Sequence, residues 1–395
     1  MSDLQKYITQ EGWTDTATWL IILREDFDAV QVALADLNAW GDNAKKYADM
    51  FLTIRHETVH FWHAISTNFL YSYSCNYVQF CIDAINSVRH GGKTYDDIPY
   101  SEFQDRFREL TKLLLSPSTP VRTIDVIEGC AVLCSYRMNF SSTSHQGFLR
   151  HLNQRHSGQQ EYRSAYLHAT EILGEYAFDL FAPACYLALQ GDNPGKNLDS
   201  IFLFARDGLD YFPNTFIIED PLSYLLEVTS MSEEGCFPSV VRKQMPQGYF
   251  SHPILQPYIE KIAQTSHLRL ADIFARPYIY EDKSHPSKEI GDFLLEISPP
   301  LNVYSDRAGV LMGLGQQLGK DYGIIIHHMT ALVSLVARLV FNIHQEMICP
   351  HQLCPVYQTN LCQRYLAFPL DDYRNCKFPE LLDGVQLGNL LNTKP

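Results

Sequence analysis

IRHETVHFWHAI, residues 54–65, sets three histidines and a glutamate into a run otherwise rich in Ile, Val, Phe and Trp. Buried imidazoles and carboxylates are costly unless something binds them. The stretch is therefore either a satisfied polar seam in a helical core or a site. Its surroundings make it helical. Phe51, Leu52, Val59 and Ile65 recur, and no Gly or Pro interrupts residues 44–70, which are expected to form a helix.

Working outward, TWLIILRED (18–26) is short, apolar and partly β-branched, the best strand candidate in the chain. Helical patterns follow around 76–90 and 101–115, and SPSTP (116–120) reads as a loop. Thr123 is the expected N-cap of a further helix, IDVIEGCAVLCSYRM. The polar stretch 141–160 is expected to be exposed. A long helical pattern spans 161–190, bent near Pro183. Beyond it, helical patterns alternate with Pro-containing breaks. The fold class expected is mainly α (α+β), with a small sheet, divided near 245 into segments 1–245 and 246–395.

Charge narrows the function classes. Lys and Arg number 31 against 45 Asp and Glu, a formal net charge of −14. Such a surface repels phosphate backbones, so no nucleic-acid partner is expected. The N-terminus has no basic segment leading into an apolar one, so no secretory signal is expected. The longest apolar segment, residues 323–344, carries His327, His328 and Arg338, which argues for a core helix and against a membrane span. Ten cysteines without a dense framework fit a chain that keeps its thiols reduced. A cytoplasmic protein is expected.

His56, Glu57 and His60 spell H-E-x-x-H. On a helix, residues four apart share a face, so both imidazoles reach one tetrahedral ion. Glu57 stands beside them as a general base for a metal-activated water. A third ligand is needed, and VIEGCAVLCSY offers Glu128, followed by the small residues Gly129 and Ala131. H-E-x-x-H with a downstream E-G-x-A helix resembles the gluzincin zinc metallopeptidases. The resemblance implies Zn2+ held by His56, His60 and Glu128, with Glu57 catalytic. It also implies a zincin-like core with a small sheet in residues 1–245, whereas residues 246–395 read from their own pattern as a helical C-terminal region with a Cys-rich tail. The small residues beside Glu128 would let the two helix backbones approach closely.

Other assignments stay open. His63 shares the face of His56 and His60 and is an alternative ligand or a packing residue. Glu171 and Glu175 are i,i+4 carboxylates that could ligate, orient a histidine or face solvent. Ser66 stands where a metzincin would have its third histidine, and no second E-x-x-H supports a di-iron site. Tyr136, Tyr162, Tyr166, Tyr176 and His168 are all candidates for stabilising an oxyanion. Cys349, Cys354, Cys362 and Cys376 are candidates for a structural metal, although C-x4-C-x7-C-x13-C is not a standard zinc spacing. The expected function is hydrolysis of a protein or peptide substrate, with room for a regulatory protein partner. The alternative is a catalytically silent zinc-binding or helical interaction module.

Overall fold

The computed structural model describes residues 12–14, 21–24, 48–74, 76–77, 80, 100–115, 120–140, 143–231, 300–304 and 309–313. These are mainly helical. The helices are α1 Ala48–Ser66, α2 Tyr100–Leu115, α3 Thr123–Asn139, α4 His145–Arg155 and α5 Ser164–Leu173, then α6 Ala177–Ala188, α7 Pro194–Gly208, α8 Asn214–Glu219 and α9 Pro221–Thr229. Among the described residues no helix is long and apolar enough to cross a membrane.

Helix α3 is the centre. Its sequence is apolar or small on nearly every face, and such a helix must be covered all round. Helices α1, α2, α5, α6 and α7 all pack on it. Each sealed aliphatic side chain, Val126 and Leu133 among them, contributes about 1.5–3 kcal/mol. Between 123 and 138 only Ile124 and Glu128 are not fully buried, and these lie four apart on one face. The start of α3 is fixed by Asp125, whose carboxylate accepts the backbone N–H of Arg122 at 2.8 Å and pairs with its guanidinium at 2.6 Å. The N-cap is therefore Arg122, one residue before the expected Thr123.

Helix α1 ends one turn before the expected limit. Thr67 turns back on it, donating its N–H and its hydroxyl to the His63 carbonyl at 3.0 and 2.6 Å. A further helical stretch, 68–74, follows. Asn68 and Phe69 then tie this junction to Gln190 and Leu189, just past α6.

Two expectations are corrected. Residues 145–155, read as part of an exposed polar stretch, form α4, capped by the Ser144 hydroxyl on the Gly147 N–H. Phe148 and Leu152, one turn apart, bury themselves and override the polar composition. The long helix expected over 161–190 is divided at Gly174, whose φ of 60° lies in a region that suits glycine. Pro183 sits inside α6.

Four short strands, β1 Gly12–Thr14, β2 Ile21–Arg24, β3 Pro300–Tyr304 and β4 Gly309–Gly313, pair in the order β1-β2-β3-β4. The β1–β2 and β3–β4 pairs are antiparallel, and β2–β3 is parallel. Strand β2 lies within the segment read as a strand, and β1 and β2 both lie against α1. The expected boundary near 245, His327, His328 and the cysteines at 349, 354, 362 and 376 fall outside the described residues.

Candidate metal centre

Among the described side chains of α1, those not sealed form one stripe: Asp49, Thr53, His56 and His60, spaced four, three and four apart. That is the helical period, so the stripe is a single line running inward from solvent. It meets the open face of α3. The side chains of His56, His60 and Glu128 are 13%, 14% and 18% exposed, low enough to be shielded and high enough to be reached.

Three donor atoms converge there. His56 Nε2 lies 3.1 Å from Glu128 Oε2, His60 Nε2 lies 3.2 Å from the same oxygen, and the two Nε2 atoms are 3.0 Å apart. Hydrogen bonds alone explain this triangle poorly. One N–H from each ring can satisfy Glu128, but the ring nitrogens then face each other with no hydrogen on the line between them. The triangle suits an ion better. Tetrahedral donors held at about 2.0–2.1 Å from zinc must stand about 3.3 Å from one another. His56, Glu57 and His60 together form a group that could hold a metal ion, with ligand atoms within 4.8 Å of one another.

The electrostatics match a site built for a cation. Burial disfavours the charged form of His60, but Glu128, by charge and hydrogen bond, and Glu57 outweigh it and raise its pKa to about 9. Burial likewise opposes ionisation of Glu128, yet His60 and His56 hold its carboxyl well below the usual carboxylate range. Without metal, a proton on His60 supplies positive charge beside Glu128.

The other sequence candidates separate cleanly. His63 is fully buried on α1, and burial first, then the charge of His60, keep it neutral far below the ordinary histidine range. It lies outside the converging group. Glu171 is 79% exposed and faces His168, and Glu175 is exposed in the turn after Gly174, so neither comes to the triad. Gly129 does not serve the approach of α1. A Cβ there would stand 3.2 Å from Phe181 Cζ and 3.6 Å from Ala165 Cβ, so its space is filled by α5 and α6. Adjacent helical residues point in different directions, and Glu128 already faces α1. Cys130 and Cys134 are sealed in the core with sulfurs 4.0 Å apart; burial pushes the Cys130 thiol up, and the contact with Cys130, then burial, push up that of Cys134.

Among the candidate phenols, one stands at the site. The Tyr162 ring centroid is 5.6 Å from that of His56. Tyr136 instead packs on Phe140, Phe148 and His151, Tyr166 is sealed beside His145, and Tyr176 donates to Asn214. His168 bonds Asp199 at 2.7 Å. Behind Tyr162 lies a residue the sequence reading missed. The His156 ring lies tilted against that of Tyr162, with centroids 4.8 Å apart, and donates Nδ1–H to Gln159 Oε1 at 2.8 Å. Burial, chiefly, lowers its pKa. Its position in a polar loop gave no periodic signal.

Comparison of the chain with known protein families, with curated proteins and with solved structures finds no match.

Proposed function

We propose that the protein is a zinc-dependent peptidase of gluzincin type, with a zincin-like core, acting on a protein or peptide substrate. The observation that supports this most is the convergence of His56, His60 and Glu128 from two separate helices onto one triangle of donor atoms. Two imidazoles and one carboxylate are a donor set suited to zinc, and they leave a coordination position open. When bound, zinc supplies a Lewis acid that makes water a nucleophile near neutral pH.

The chain's own residues then divide the work. His56, His60 and Glu128 would hold the ion. Glu57, 6% exposed and within the same group, takes the proton from water and passes it to the leaving amine. Tyr162 stands beside His56, where its hydroxyl would steady the developing oxyanion.

The test is Glu57→Gln, assayed by mass spectrometry on a library of peptides. The variant keeps stoichiometric zinc and loses cleavage by about 10²-fold or more. Cleavage at the wild-type rate refutes the peptidase assignment. Zinc bound by both proteins, with cleavage by neither, leaves a silent zinc-binding module.

A further inference from the structure

Arg55 directly precedes the H-E-x-x-H motif and is 5% exposed on an otherwise apolar part of α1. Burying a guanidinium is costly unless its hydrogen bonds are met. Here they run to the far end of α3. One Nη1 hydrogen goes to the Met138 carbonyl and another to Asn139 Oδ1 at 2.6 Å. Asn139 is fixed in turn, because its Nδ2 donates to the Ser135 carbonyl at 2.7 Å. A cation on the last carbonyls of a helix also complements the helix dipole.

The consequence is geometric. Helix α1 carries two ligands and α3 carries the third, so the site exists only at one relative placement of the two helices. Glu128 fixes that placement near the start of α3, and Arg55 fixes it near the end. Glu128 and Met138 lie about 15 Å apart along the helix at 1.5 Å per residue. Over that lever, a tilt of about 5° displaces an end by about 1.3 Å, whereas metal–ligand distances tolerate about 0.2 Å. Other polar ties near α1 lead elsewhere. Asp49 pairs with Arg155 of α4 at an exposed position, and residues 68–69 bond the segment after α6.

We propose that Arg55 is a positioning residue for the metal centre: its bonds to Met138 and Asn139 lock α1 and α3 at the spacing that brings His56, His60 and Glu128 together. This rests on the metal reading given above, and the role is separate from coordination or proton transfer.

Zinc affinity of the full chain, measured by competition with a chromophoric chelator, tests it beside thermal unfolding of the metal-free protein. Arg55→Met is expected to weaken zinc by about tenfold or more, in the range seen when a residue orienting a ligand is lost. Arg55→Lys, which keeps a donor for the Met138 carbonyl, is expected to recover part of that loss. Arg137→Met is the structural comparator. Arg137 is equally buried but ties α3 to Phe178 and Asp179 of α6, so it should lower the melting temperature and leave zinc affinity within about twofold.

A folded Arg55→Met with affinity within about twofold of wild type overturns the proposal, as does an equal loss in Arg137→Met. If Arg55→Met fails to fold, Asn139→Ala carries the test. It should weaken zinc by about threefold, and no change there overturns the proposal. A wild type that binds no zinc overturns the metal reading itself, which keeps the two failures apart.

Discussion

Zinc should act as a clasp between α1 and α3, and the strength of that clasp follows from where the ligands sit. His56 and His60 lie on one helix, but Glu128 joins them only when the core is assembled. The unfolded chain lacks the three-donor triangle, so on the proposed function zinc would bind the folded state selectively. At free zinc 1,000 times the dissociation constant, such binding stabilises the fold by about 4 kcal/mol. For a folded unit of roughly 150–250 residues, each kcal/mol moves the midpoint by about 2–4 °C. The expected rise is about 8–16 °C. The assay is thermal unfolding of metal-stripped protein in buffered free zinc, beside His60→Ala, Glu128→Ala and Glu57→Gln. The two ligand variants should lose the rise, and Glu57→Gln should keep it because Glu57 is assigned to proton transfer. A wild-type rise below about 2 °C at saturating zinc refutes the argument. So does an undiminished rise in His60→Ala, which would put the metal elsewhere.

The raised pKa of His60 sets opposite pH trends for the two forms. In metal-free protein its contribution to stability is complete below about 6.5 and is lost as pH rises through about 9. Zinc must displace that proton, so zinc affinity should rise over the same window, with proton release detectable by calorimetry in buffers of different ionisation enthalpy. A Gly129→Val change drives a branched side chain against Phe181 and should cost about 1–3 kcal/mol in a denaturant titration, without altering the zinc ligands. Tyr162→Phe should leave zinc affinity unchanged and lower kcat by about 10²-fold, and an unchanged kcat would remove Tyr162 from the mechanism.

The site was legible because its signal is local. H-E-x-x-H places two imidazoles on one helical face whatever surrounds them, and the apolar period of 44–70 supplies that helix. Glu128 could be named only through the resemblance of its E-G-x-A helix to that of gluzincins. The fold was less legible. Helix α4 escaped because Phe148 and Leu152 are its only buried apolar residues, beside the buried His145, and two apolar residues in a polar stretch do not make a visible period. The break at Gly174 escaped because a single glycine is tolerated within helical patterns as well as at their ends.

By itself, then, the sequence determined the helical character of the described residues, the shared face of His56 and His60, and the chemistry their donor atoms offer. Only tertiary structure shows that Glu128 stands beside both histidines while Glu171 and Glu175 are exposed away from them. It also decided that Gly129 accommodates Phe181 instead of α1, that Tyr162 is the phenol beside His56, and that Arg55 joins the two ligand-bearing helices. The physical reason is range. Helical period and donor chemistry act within one or two turns, whereas the meeting of residues 55–60 with 128–139 depends on how α3 is sealed by every helix packed around it.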